Sequence, residues 1–213
     1  MPTPREQLVE QFKAALWTNA PRFKTELNAT EVDRLGQYYE LLLKWNDRLH
    51  LVAPCSPEEF ATRHVLESLL VLPHLGRNDQ LIDVGSGAGL PAIPCFVANT
   101  RLHGPLIDSS KRKAVFLREA LHHLDLSRRA QVVADRFEKT VVASADVVTC
   151  RAIDQFTAVL PELIDWAPAG STLLFFGGED LFTEILKLLP TAEKQLIPLS
   201  ERRFLIKASR RSD

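Results

Sequence analysis

The stretch LIDVGSGAGLPAIP, from Leu81 to Pro94, constrains the fold of this 213-residue chain more than any other. Leu81, Ile82 and Val84 form the short apolar run that a buried parallel strand requires. Gly85, Gly87 and Gly89 follow at alternate positions, and such a turn lets the backbone take positive φ and come close to a ligand. LPAIPCFVA then reads as the start of a helix whose N-terminus faces the turn. Strand, glycine turn and helix make a nucleotide-binding beginning. A dinucleotide fingerprint calls for G-x-G-x-x-G or A, but Leu90 stands at its last position; a loop ending in Gly-Lys-Ser/Thr is absent. Asp83, at the carboxyl end of the strand, suits a ligand's ammonium better than a core. The competing reading is an ordinary tight strand-to-helix turn.

Length allows one sizeable core with a small added subdomain. Hydrophobic content of 46% and charged content of 25% are ordinary for a soluble globular protein. The opening residues MPTPREQLVEQF lack the apolar core of a signal peptide, and no apolar run approaches bilayer length. Cys55, Cys95 and Cys150 are odd in number, far apart and without C-x-x-C spacing. They read as reduced thiols of a cytoplasmic protein, not a disulfide framework or zinc site. With a formal net charge of −1, an enzyme of nucleic acid would need local basic patches.

Residues 1–75 read as a helical cap packed on a core, residues 76–213, the two forming one continuous structural unit rather than independent domains. Glu6 to Trp17 carries Leu8, Phe12, Ala15 and Leu16 on one face. From Thr30, a plausible N-cap, Leu35, Tyr38, Tyr39, Leu42 and Leu43 recur at helical spacing. Ser56-Pro57-Glu58-Glu59 reads as a helix start with a capping box, the helix running to Leu70. From Leu81 strands alternate with helices: strands at 81–84, 105–107, 131–134, 145–149 and 172–176, helices to Asn99 and over 111–124, 156–166 and 181–189. Residues 195–199 and 204–208 read as a closing hairpin. This is an α/β chain with a mainly parallel sheet, helices on both faces and one antiparallel strand.

In an open α/β sheet ligands bind outside the carboxyl ends of the strands. Gly85, Ser86, Gly87 and Gly89 follow the first strand. Asp108 and Ser109 follow the second; an acid there can accept hydrogen bonds from ribose hydroxyls, or either residue can cap the next helix. Asp135, Arg136, Phe137 and Glu138 follow the third, where backbone groups and an apolar side chain can hold an adenine, or form a surface turn. Arg151 follows the fourth. Nothing in strand packing calls for a guanidinium there, so it is a candidate partner for a cofactor carboxylate or a substrate phosphate. Lys111, Arg112 and Lys113 open a helix where positive charge is unfavourable by roughly 0.3–1 kcal/mol each. They point to a polyanion or are simply a solvated face, and Arg128, Arg129, Arg202, Arg203, Arg210 and Arg211 extend the same surface. Arg63 and His64 lie on the cap. No His, Cys and carboxylate set has metal-ligand spacing.

Asp-x-Gly-x-Gly-x-Gly resembles the first motif of S-adenosylmethionine (SAM)-dependent methyltransferases, which have a Rossmann-like class I fold. More specifically, residues from about Tyr39 to Phe176 resemble the bacterial glucose-inhibited division protein B family. The resemblance is carried by Lys44-Trp45-Asn46, by Arg63-His64-Val65-Leu66-Glu67-Ser68-Leu69 and by Ile82 to Pro94 with its G-L-P-x-I-P. Asp108-Ser109 with Lys111-Arg112 and Phe116-Leu117, then Arg136-Phe137-Glu138 and Arg151-Ala152, complete it. The resemblance implies a SAM-dependent transferase acting on N7 of a guanine in 16S ribosomal RNA, as naked RNA or in the small subunit. It implies cofactor contacts at Gly85, Leu90, Phe137, Glu138 and Arg151, with Asp108 near the ribose.

The chain departs from the family pattern at His50, Val52 and Cys55, where asparagine, threonine and arginine are usual, and at Phe176-Gly177, where a lysine usually precedes glycine. The cofactor half is intact and the substrate half altered. Guanine N7 carries no proton, so the chemistry needs positioning and electrostatics rather than a base, with Arg151 the candidate residue. The cofactor set is Asp83, Gly85, Ser86, Gly87, Gly89, Leu90, Asp108, Ser109, Phe137, Glu138 and Arg151, and the substrate set Arg63, His64, Lys111 and Arg112. No metal and no membrane partner is expected, and the chain reads as a monomer. Competing readings are a methyltransferase of the same fold with a protein or small-molecule substrate, a non-catalytic SAM-binding ribosome-interaction protein and, more distantly, an NAD-dependent oxidoreductase.

Overall fold

A computed structural model of the chain describes residues 2–76, 79–151 and 156–210. Its strands are β1 (Leu81–Val84), β2 (Gly104–Ile107), β3 (Ala130–Val133), β4 (Val147–Cys150), β5 (Thr172–Gly177), β6 (Glu193–Leu196) and β7 (Phe204–Ser209). They form one sheet in the order β3-β2-β1-β4-β5-β7-β6. β1 to β5 pair in parallel, and β7 is antiparallel to both of its neighbours. The alternating reading therefore holds. The hairpin begins two residues earlier than 195 and the fourth strand two residues later than 145.

The cap opens with α1 (Pro4–Asn19) and α2 (Ala29–Leu49), each started by a capping box, Thr3 with Glu6 and Asn28 with Glu31. Thr30 is thus not the N-cap: Asn28 accepts the Glu31 N–H first, and Thr30 falls inside the first turn. Ser56 does start α3 (Pro57–Glu59), accepting from Glu59 N at 3.1 Å. The expected box does not close there, because the Glu59 carboxylate pairs with Arg63 one turn on. The segment then widens into a π-helix over Phe60–Leu66 and ends as α4 (Glu67–Leu69). Apolar periodicity did not distinguish this wider turn from an α-helix. The remaining helices are α5 (Ala92–Ala98), α6 (Lys111–His123), α7 (Phe156–Trp166) and α8 (Glu179–Leu188). Ser110, not Asp108 or Ser109, caps α6 by accepting from Lys113 N.

Strand alternation sorts the core into two layers. Leu81, Leu106, Leu174 and Leu205 pack with the cap helices and α5 and α6. Ile82, Val84, Ile107, Val148, Leu173 and Phe175 pack on the other face with α7 and α8. Within the cap, Phe12, Tyr39 and Phe60 stack with ring centroids 4.5 and 4.7 Å apart. Trp45 of α2 meets Phe116 of α6 edge-on.

Several arginines expected on a basic surface are turned inward. Arg129 donates to the carbonyls of Phe96, Asn99 and Leu102, meeting acceptors that the end of α5 leaves free. Arg210 donates to Ile164 O, and Arg203 pairs with Glu67. Arg211 and Ala152 lie outside the described residues. Among the described residues, no helix is long and apolar enough to cross a membrane.

Candidate cofactor and substrate site

The site follows from the sheet order. β1 and β4 are neighbours at the point where the chain's direction of travel across the sheet reverses, so their carboxyl ends leave a crevice. The glycine turn leaves β1 into this crevice. Gly85, Gly87 and Gly89 have φ of 71°, 54° and 85°. Gly85 N and Ser86 N both donate to Ile107 O, at 2.9 and 3.1 Å, tying the turn to the end of β2.

Asp83 shares the side-chain parity of Leu81 and faces the cap, opposite Thr149 in the β1–β4 register. It is buried, and both carboxyl oxygens are engaged. Oδ1 accepts from Thr149 Oγ1 at 2.8 Å, and Oδ2 from Ser86 Oγ at 2.6 Å. Burial raises its pKa to about 7 against the opposing effect of those two hydroxyls, with a smaller push from Asp108. Asp83 thus frames the turn from below, and the ionised, open carboxylate anticipated from sequence is corrected to a buried one. Asp108 frames the turn from the side: Oδ2 accepts from Gly87 N at 2.7 Å and Oδ1 from Ser110 N at 2.8 Å. Each oxygen keeps a further lone pair for a ligand.

Two cavities meet at Gly85. One, of about 340 Å³, is lined by Val84, Gly85, Ile107, Asp108, Ser109, Asp135, Arg136, Phe137, Glu138 and Val159. Its apolar wall and single inward row of acids suit a flat heterocycle joined to a diol. Phe137 is held edge-on by Trp166 at 5.5 Å, and Glu138 by Arg136 at 2.5 Å, which keeps the Glu138 carboxyl below its usual range. The other cavity, of about 210 Å³, is lined by Leu51, Val52, His64, Gly85, Ser86, Gly87, Ala88, Leu90, Lys113 and Arg151.

The two cavities gather Gly85, Ser86, Gly87, Leu90, Asp108, Ser109, Phe137, Glu138, Arg151 and His64 from the residues expected in sequence. Gly89 sits behind the turn against Ile93. Arg63, Lys111 and Arg112 do not line either cavity; Arg63 pairs with Glu59, and Arg112 donates to Arg48 O at 3.0 Å. Arg151 does emerge at the carboxyl edge, but packing does call for it. Its Nη1 donates to His64 O at 3.1 Å, its Nη2 donates to Arg63 O, and its guanidinium lies over the Phe176 ring. His64 is kept neutral: burial, with Arg151, Arg63 and Arg203 nearby, lowers its pKa to about 3. Sequence reasoning passed over Thr149, Tyr38 and Glu67. A signal was present for the last, an acid inside the apolar run Val65 to Leu70. Among the described residues, no group of three or more His, Cys, Asp and Glu side chains is placed to hold a metal ion.

The family model described as rRNA small subunit methyltransferase G matches residues 31–207. The ribosomal RNA small subunit methyltransferase G of Neisseria gonorrhoeae (strain NCCP11945) is 35% identical over 157 residues, 74% of this chain and 72% of that protein. The protein of the same name from Neisseria meningitidis (serogroup C / serotype 2a, strain FAM18) is 37% identical over 141 residues, and the match spans 66% of each chain. Among solved structures, an O-methyltransferase from Bacillus cereus in complex with SAH superposes with a TM-score of 0.61 at 15% identity, covering 94% of this chain and 99% of that one. The sheet and its helical layers are therefore those of the class I methyltransferase fold.

Proposed function

Because the chain belongs to the rRNA small subunit methyltransferase G family, we propose that it methylates N7 of a guanine in the 16S RNA of the small ribosomal subunit, with SAM as methyl donor. The observation that carries this reading is the pair of cavities meeting at Gly85, one acidic and apolar, the other basic and walled in part by the cap. When bound, SAM supplies a methyl group on a positively charged sulfur.

The residues present fit that group. Asp108, held by the N–H groups of Gly87 and Ser110, keeps lone pairs for two hydroxyls of a ribose. Phe137, Ile107 and Val84 give adenine an apolar wall, and Glu138 an acceptor at its edge. The glycine turn lets backbone come close where a side chain would fill the space. Arg151 lines the second cavity and brings it a positive charge, which suits a carboxylate there. Catalysis then rests on holding donor and acceptor in line, because N7 offers a lone pair and has no proton to lose. His64, neutral, lines that cavity and adds no charge against the cation that forms. Lys111, Arg112 and Lys113 at the start of α6, with Arg63, take RNA phosphates. We propose that cap and core act as one unit, a reading supported by their common apolar core. We propose a monomer as the acting species, in the cytoplasm with its ribosomal substrate.

The test uses methyl-labelled SAM with naked small-subunit RNA and, separately, intact small subunits, in the presence of chelator. Label in RNA that is lost on nuclease treatment, and that weakens steeply with added salt, is expected. Label that survives nuclease in a protein or small molecule would overturn the RNA assignment. A folded sample that binds neither SAM nor S-adenosylhomocysteine would overturn the cofactor.

A further inference from the structure

A buried carboxylate that no part of the glycine turn uses sits behind Arg151. Glu67 begins α4, in a run whose other members, Val65, Leu66 and Leu69, belong to the core. Its side chain is 3% exposed. Oε2 lies 3.5 Å from Arg151 Nη2, and Oε1 lies 2.5 Å from Arg203 Nη1. The second contact is a close ion pair. Three elements distant in sequence thus meet at one carboxylate: the cap, the end of β4 and the residue that enters β7.

Each cation has further hydrogen-bond ties. The backbone of Arg203 is pinned on both sides, its N–H donating to Ser200 Oγ at 3.0 Å and its carbonyl accepting from Ile197 N at 2.9 Å. The Arg151 fork is spread across His64 O, Arg63 O and, at 3.4 Å, Ser68 Oγ. Carbonyl dipoles alone would hold a guanidinium in several poses. A single buried charge at one end of the fork selects among them. Burial alone would drive Glu67 toward its neutral form, and Arg151 and Arg203 oppose that. Arg203 is part-exposed and lines neither cavity; the contact that ties it to the site is its ion pair with Glu67, beside the charge it presents to His64 and Arg151.

We propose that Glu67 is a positioning residue that sets the Arg151 guanidinium at the second cavity, and that Arg203, reaching in from the β6–β7 connection, holds the Glu67 side chain in place. This rests on the reading of that cavity as part of the SAM site. It assigns the last turn of the sheet a role in ligand affinity, although it contributes no residue to the cavity.

The experiment is a double-mutant cycle in S-adenosylhomocysteine affinity by calorimetry, with wild type, Glu67→Gln, Arg203→Met and the double variant, each read below its own melting transition. Each single change should weaken binding by about fivefold or more, and the double should be no weaker than Glu67→Gln alone. Arg203→Lys should restore most of the loss. In methyl transfer, KM for SAM should rise more than kcat falls. A purely structural ion pair would lower the melting temperature and leave affinity within twofold of wild type; that result overturns the proposal, as do losses that simply add in the double. If Glu67→Gln does not fold, Arg203→Met at its part-exposed position decides alone. Wild type with no affinity would overturn the cofactor reading and this one with it, whereas wild-type binding with unaffected variants overturns only this one.

Discussion

The hydroxyl of Tyr38, on α2 of the cap, donates to the carbonyl of Ala88 in the glycine turn at 2.7 Å. Both residues are buried, so the bond joins the cap to the ligand loop where no water is available to replace it. Tyr38→Phe leaves the Ala88 carbonyl without this donor and should cost about 1–3 kcal/mol in urea unfolding. It should also weaken S-adenosylhomocysteine binding, because the turn loses its upper support. Unchanged stability and affinity would mean that the cap merely covers the loop.

Gly87 and Gly89 should fail in different ways. An added Cβ at Gly87 meets nothing nearer than Gly85 O at 3.8 Å, but it projects at a residue that lines the second cavity. Gly87→Ala should therefore cost only about 1 kcal/mol for its positive φ, while Gly87→Val should abolish ligand binding. At Gly89 a Cβ would lie 2.3 Å from Ile93 Cδ1 and 2.7 Å from its Cγ1, with φ at 85°. Gly89→Ala should cost about 2 kcal/mol or more. Thermal melts with and without ligand separate the two; equal stability loss in the alanine variants would contradict the steric account.

Arg151 should matter to fold and site together. Removing the guanidinium takes a donor from the Arg63 and His64 carbonyls, of which His64 O keeps the Ser68 hydroxyl, and takes one cation from buried Glu67. Arg151→Ala should lose about 3 kcal/mol of stability and bind S-adenosylhomocysteine about tenfold more weakly. Lysine should recover only part of either, since it lacks the planar fork. Full stability in the alanine variant would show that the cap contacts are incidental.

Local pattern carried the sheet well and the seam between cap and core poorly. Leu81 to Val84 could be read as a strand because burial on both faces demands an apolar run, and Gly85, Gly87 and Gly89 as its turn because their φ values favour glycine. What was not legible were contacts set by tertiary packing. The Tyr38–Ala88 bond spans 50 residues and the Arg151–His64 bond 87. Sequence alone saw an arginine after a strand with no reason to be there; the reason is an exposed pair of carbonyls on a π-helix. The same limit explains Arg129, which reads as surface charge until the carbonyls of Phe96, Asn99 and Leu102 are brought around it.

Asp83 gives the protein a pH dependence of definite sign. Its pKa is raised from 3.8 to about 7, so the folded state keeps a proton that the unfolded chain has released. Its contribution to stability is fully present below pH 4 and is lost as pH rises toward 7, by an amount of order 4 kcal/mol at most. In Asp83→Asn this component is absent. The difference in unfolding free energy, variant minus wild type, should therefore rise between pH 4 and pH 7 and level off above. A difference that stays flat over that range would show that Thr149 and Ser86 hold Asp83 ionised throughout.

Methyl transfer to N7 of a guanine in small-subunit RNA leaves a product that nucleoside analysis identifies. Small-subunit RNA treated with the protein and SAM is digested to nucleosides and examined by mass spectrometry, with Gly87→Val protein as control. The expected result is 7-methylguanosine that is new in the treated RNA and absent with the variant. Methyl groups on another atom or another base, or an RNA left unmodified by a protein that binds SAM, would contradict it.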